Sequence, residues 1–97
     1  MDDSSLRRLN AFAHGSYRVS LQLERQAVQR ELERYGMKSI WVAHALEELG
    51  WTILATYTDH AGKRRRIVIL RERRMDERTL TKAVERELLT RSSGLIG

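Results

Sequence analysis

The chain has 97 residues, enough for one small domain, and hides only about 60–65% of its unfolded surface, so a thin core and an oligomer are expected. A 41% hydrophobic and 32% charged composition with both signs present excludes an acidic disordered tail, and the absence of cysteine excludes a disulfide framework or a thiolate metal site. No apolar run approaches the ~20 residues of a membrane span, and the start Met1-Asp2-Asp3 has neither the basic nor the apolar part of a signal peptide; a cytoplasmic protein away from membranes is expected.

Taken in chain order, residues 4–14 (SSLRRLNAFAH) place Leu6, Leu9, Ala13 and Phe12 at helical spacing. Ser4 or Ser5 serves as cap and Gly15 as stop. Residues 17–20 (YRVS) read as a short extended link. Residues 21–35 then carry Leu21, Val28, Leu32 and Tyr35 on one helical face, and Gly36 ends that helix. A third helix is predicted over residues 39–49 (SIWVAHALEEL). Ser39 is its N-cap, Val42, Ala45, Leu46 and Leu49 are buried, and Gly50 closes it.

After Gly50 the period changes. Residues 51–58 (WTILATYT) alternate, with Trp51, Ile53, Ala55 and Tyr57 on one side, and residues 65–71 form a β-branched run. The intervening segment, 59–64, contains Gly62, so the pair reads as a β-hairpin. Residues 76–91 return to helical period, with Asp76 as cap and Leu80, Val84 and Leu88 as the apolar face, Ala83 beside it. Residues 92–97 read as a loose tail. The whole is a single domain, 1–97, without repeats or linker.

The charge is concentrated in one place. Residues 1–62 have a balance of −1 and residues 75–97 a balance of zero, so the whole net charge of +5 comes from residues 63–74 (KRRRIVILRERR), with a balance of +6. Fifteen of the 18 basic residues are Arg, whose fork suits phosphate. Such a stripe releases counterions from nucleic acid.

The segment ELERYGMKSIWVAHAL has the pattern of two helices locked about Gly36. A hairpin follows it, made of TILATYT and DHAGKRRRIVIL. From Leu6 to Arg71 the chain resembles the winged-helix family of DNA-binding domains. The resemblance implies an α+β fold with a three-helix core containing a helix-turn-helix and a C-terminal β-hairpin wing, here with an extra C-terminal helix. It also implies that the helix after the turn enters the major groove of double-stranded DNA and that the wing touches backbone or minor groove.

On that reading the DNA contacts are Lys38, Ser39, Trp41 and His44 at the start of the third helix and Lys63, Arg64, Arg65 and Arg66 on the wing. Glu47 and Glu48 on the same helix repel phosphate. Trp41 and Trp51 also read as core or interface aromatics, and His14 and His60 as solvated turn residues. Leu80, Val84 and Leu88, at four-residue steps, are the candidate homodimer interface. No cofactor and no metal are implied, since no second His shares the helix of His44; adjacent acidic pairs such as Glu47-Glu48 diverge by about 100° on a helix and do not converge as an acid/base dyad needs. The absence of a phosphate-cradling glycine loop, a nucleophile elbow or a thiol argues against an enzyme.

The expected role is a transcriptional regulator or a replication or mobile-element accessory factor. Two other readings fit the sequence. Residues 17–23 (YRVSLQL) alternate Val19, Leu21 and Leu23, which resembles the strand of a ribbon-helix-helix repressor; Arg18, Ser20 and Gln22 would then read bases. A protein-interaction module, such as a small phage protein that blocks a host factor, is the other.

Overall fold

The computed structural model describes the backbone of residues 3–48 and 50–96 and the side chains of residues 17–48 and 50–90. Among the described residues the chain runs α1 (Asp3–Arg34), β1 (Lys38–Glu47), β2 (Gly50–Thr58), β3 (Arg64–Leu70) and α2 (Glu77–Ile96). The three strands form one antiparallel sheet in the order β1-β2-β3.

This order overturns the winged-helix expectation. A winged helix needs three helices before and beside its wing, and here the described residues supply two, one on either side of the sheet in sequence. The segment read as a groove-entering helix is β1. Its residues satisfy two periods at once. Val42, Ala45 and Leu46 fit a helical stripe, but Val42, His44 and Leu46 also alternate, and Ile40, Trp41 and Val42 are strand-favouring types. Pairing decides between them, because β2 as the central strand is bonded on both edges. Glu47 opposite Gly50 leaves a two-residue hairpin loop, and Gly50 adopts a φ of 120°, open to glycine alone at low cost. Leu49, predicted to be buried, lies outside the described residues.

The first two predicted helices are one. Gly15 does not stop α1, since a single glycine within a helix costs only about 1 kcal/mol and no proline interrupts the run. Residues 17–20 are therefore helical and Leu21 belongs to the same helix, which removes the ribbon-helix-helix reading along with its base-reading roles for Arg18, Ser20 and Gln22. The side chains of Leu6, Leu9, Phe12, Ala13 and His14 lie outside the described residues. Residues 92–96 continue α2 and are not a loose tail.

Gly36 does end α1. With φ at 80° it lets Met37 N–H reach Leu32 O (3.1 Å) and its own N–H reach Glu33 O (2.9 Å), the paired bonds of a Schellman cap. Asp76 caps α2 as expected, its Oδ1 accepting from Thr79 N–H at 2.8 Å.

Both helices pack on one face of the sheet. Ala27, Val28 and Leu32 of α1 and Leu80 and Val84 of α2 bury against Ile53, Ala55 and Tyr57 of β2 and Ile67 and Ile69 of β3. The predicted inward set of β2 is correct for Ile53, Ala55 and Tyr57, whereas Trp51, at the strand's start, stays 46% exposed. The opposite face carries Trp41, Ala43, Leu54, Thr56, Arg64, Arg66 and Val68, and nothing among the described residues covers it. No helix among the described residues is long and apolar enough to cross a membrane.

Candidate nucleic-acid interface

Two antiparallel pairings bring the predicted contacts together by a route different from the one expected. Thr58 pairs with Lys38 on one side and Arg64 on the other, so the start of β1 and the start of β3 meet at the same end of the sheet. Lys38, Ser39, Trp41, Lys63, Arg64 and Arg66 all lie at this end. They sit there as strand and turn residues, with no helix N-terminus among them.

The tip, residues 59–63, is built around Asp59. Its Oδ1 accepts from the N–H groups of Ala61 and Lys63, both at 2.9 Å, and its N–H donates to Lys63 O. Its Oδ2 accepts from Arg65 Nε at 2.9 Å. The Arg65 bond, with the amide donors, holds the Asp59 carboxyl below the usual aspartate range. Arg65 thus spends its charge within the hairpin. The tip does not stand alone in solvent either, because His60 Nε2 donates to Tyr35 O at 2.7 Å and ties it to the end of α1.

Arg64 is held in another way. Its Nη1 donates to Ser39 O and to Thr58 Oγ1 (3.2 Å), and its Nη2 donates to Thr56 Oγ1 (3.1 Å). All three acceptors are neutral. The guanidinium is laid across β2 to β1 on the open face, oriented but not neutralised. The bulge in β1 between Lys38 and Trp41 makes this possible. Ser39 there has a φ of 49°, a left-handed conformation that costs a non-glycine residue about 1 kcal/mol, and its carbonyl is the one Arg64 takes. Lys38, Lys63 and Arg66 are exposed, and none meets a carboxylate among the described residues.

His44 does not belong to this surface. On β1 it faces the helices, with a side chain 6% exposed, and is not the exposed helix residue expected to touch DNA. Its Nε2 lies 2.9 Å from Glu24 Oε1 and its Nδ1 3.0 Å from Arg25 Nη1. A guanidinium only donates, so Nδ1 accepts and Nε2 carries the proton given to Glu24. Glu24 also takes Arg71 through both oxygens (2.6 and 3.1 Å) and the N–H of Met75 (2.9 Å). Burial alone would raise the Glu24 carboxyl; the bonds from Arg71, Met75 and His44 outweigh it and hold the group below the usual glutamate range.

Leu80 and Val84, expected at a dimer interface, are fully buried in the chain's own core, and Leu88 packs partly against it, so their apolar face is covered without a second copy. Sequence reasoning missed Thr56 and Thr58, the hydroxyls that orient Arg64. Their signal is the register itself: a five-residue turn sets Thr58 opposite Arg64 and Thr56 opposite Arg66. Arg73 and Arg74, between β3 and α2, are exposed but lie at the other end of β3, near Glu72, Asp76 and Glu77. No family model matches the chain, and no curated protein or solved structure is significantly similar to it.

Proposed function

We propose that the chain is a nucleic-acid-binding protein that grips phosphates with the hairpin end of its sheet, in a regulatory or replication-accessory role. The single observation that supports this most is the state of Arg64. A guanidinium fixed by three neutral oxygens keeps its full charge, has already lost its rotamer freedom, and lies on an uncovered face. Lys38, Lys63 and Arg66 surround it without an acidic partner among the described residues, so a polyanion is the chemistry that would balance them.

The contacts are to phosphate, and a salt titration tests them. Affinity for a mixed-sequence duplex falls with salt, and each phosphate contact contributes about 0.9 to the slope of log affinity against log salt. Replacing Lys63, Arg64 and Arg66 together by Ala should flatten that slope by about 2–3. An unchanged slope, or no binding of either a duplex or a single strand at low salt, refutes the proposal.

A further inference from the structure

We infer that the same open face holds an unpaired nucleotide, its base stacked on Trp41 and its phosphate on Arg64 or Arg66, so that a single strand is preferred over a closed duplex. The inference rests on the phosphate-binding reading above and narrows it to one conformation of the nucleic acid.

The observation behind it is a juxtaposition. Trp41 is 56% exposed although it sits within a strand, and it points to the side of the sheet away from both helices. Its direct cross-strand partner is Thr56, whose Oγ1 takes Arg64 Nη2, so the indole and the fixed guanidinium flank one threonine. Thr56 in turn pairs with Arg66, giving a row of Trp41, Thr56 and Arg66 across three strands, about 10 Å from first to last. An exposed aromatic ring beside cations on one face of the sheet offers a stacking plane for a base and a charge for its phosphate.

The next row inward, Ala43, Leu54 and Val68, is apolar and brings no competing charge. Glu47, at the far end of the same face of β1, repels phosphate and directs the strand across the sheet at the hairpin end instead of along β1. A closed duplex offers no free base plane, so Trp41 adds nothing to duplex affinity, whereas base stacking on an aromatic contributes strongly and with little sequence preference in single strands.

The test uses the full chain carrying Trp51→Phe, which leaves Trp41 as the one indole, since the sequence has two Trp. Oligothymidylate of about twenty nucleotides and a blunt mixed-sequence duplex of about twenty base pairs, compared per phosphate, are titrated at low salt, with Trp41 emission and fluorescence anisotropy of a labelled strand as readouts. The expected result is quenching of Trp41 and tighter binding by the single strand. Trp41→Ala should then lose about ten-fold in single-strand affinity and none for duplex, and Trp41→Phe should recover most of it. Should Trp41→Ala lower the thermal midpoint, the Phe variant and the quenching carry the test alone.

Duplex binding equal to or above single-strand binding, with unquenched Trp41, overturns the inference and leaves the phosphate reading standing. Failure of both nucleic acids to bind overturns both. A change in Trp41 emission on raising protein concentration alone, with no effect of oligonucleotide, assigns the face to a second copy of the chain and also overturns it.

Discussion

Arg64 and Arg71 begin and follow the same strand and have opposite fates. Arg71 is 9% exposed and gripped by both oxygens of Glu24, itself 2% exposed, in a cluster that also takes in His44 and Arg25. Arg64 lies at the other end of β3 on the open face, held by a carbonyl and two hydroxyls. Arginine density by itself does not define a binding surface. The charge of the acceptor does, since a carboxylate consumes the cation and a neutral oxygen only aims it. The basic stretch at residues 63–74 therefore divides into internal structure (Arg65 and Arg71), available charge at the hairpin end (Lys63, Arg64 and Arg66) and two exposed arginines at the other end, Arg73 and Arg74, close in sequence to Glu72, Asp76 and Glu77.

The largest effect is expected at the neutralised end. Glu24 accepts four hydrogen bonds, and Glu24→Gln turns an NH2 toward two of the donors while leaving Arg71 buried without a counter-charge. A loss of about 3–5 kcal/mol is expected, a fall in thermal midpoint of ~15 °C or more. The paired variant Glu24→Leu with Arg71→Met, which removes both charges, should recover much of it. If Glu24→Gln unfolds no sooner than wild type, the cluster contributes little and the contrast with Arg64 fails.

Acid reads the same cluster. The native Glu24 carboxyl lies below its ordinary range, so its contribution is complete above that range and is lost as pH falls through the lowered value. Asp59 and Asp76 are depressed too and act with the same sign. The thermal midpoint of the wild type should therefore drop on acidification below the ordinary carboxylate range. Glu24→Gln should show a shallower drop, and the difference between the two curves belongs to Glu24.

At the hairpin end, a Cβ on Gly36 would lie 2.7 Å from His60 Nε2, and the φ of 80° disfavours any side chain. Gly36→Ala should cost about 1–2 kcal/mol through strain at the helix cap. It should also displace the His60 bond to Tyr35, seen as faster amide exchange of residues 59–63 with the exchange of residues 24–28 unchanged.

Arg64→Ala should reduce the salt slope of duplex binding by about 1, and Arg65→Ala, whose charge is already met by Asp59, should leave it unchanged. Equal effects at the two positions would show that the hairpin acts as an undifferentiated cationic patch. The smallest change is expected for Ser39→Gly, which relieves a left-handed serine while keeping the carbonyl that Arg64 takes. Stability should rise by a few tenths of a kcal/mol, measured by urea unfolding, with binding preserved.

The helical stripe of Leu80, Val84 and Leu88, the alternation of Ile53, Ala55 and Tyr57, the cap at Asp76 and the stop at Gly36 were all legible, because each is a local pattern enforced by backbone geometry within a few residues. So was the concentration of positive charge about the second hairpin. Residues 38–47 were not, since their apolar spacing satisfies a helix and a strand alike, and the choice falls to the hydrogen bonds that β2 offers along its free edge. The candidate site shared that fate. Arg64 and Arg65 are neighbours in the chain and indistinguishable in composition, yet the pleat sends one to the open face and the other to Asp59. Sequence set the local periods and the total charge; the pairing register alone decided which cations are free and that Trp41 stands beside one of them, because side-chain direction in a strand depends on partners far away along the chain.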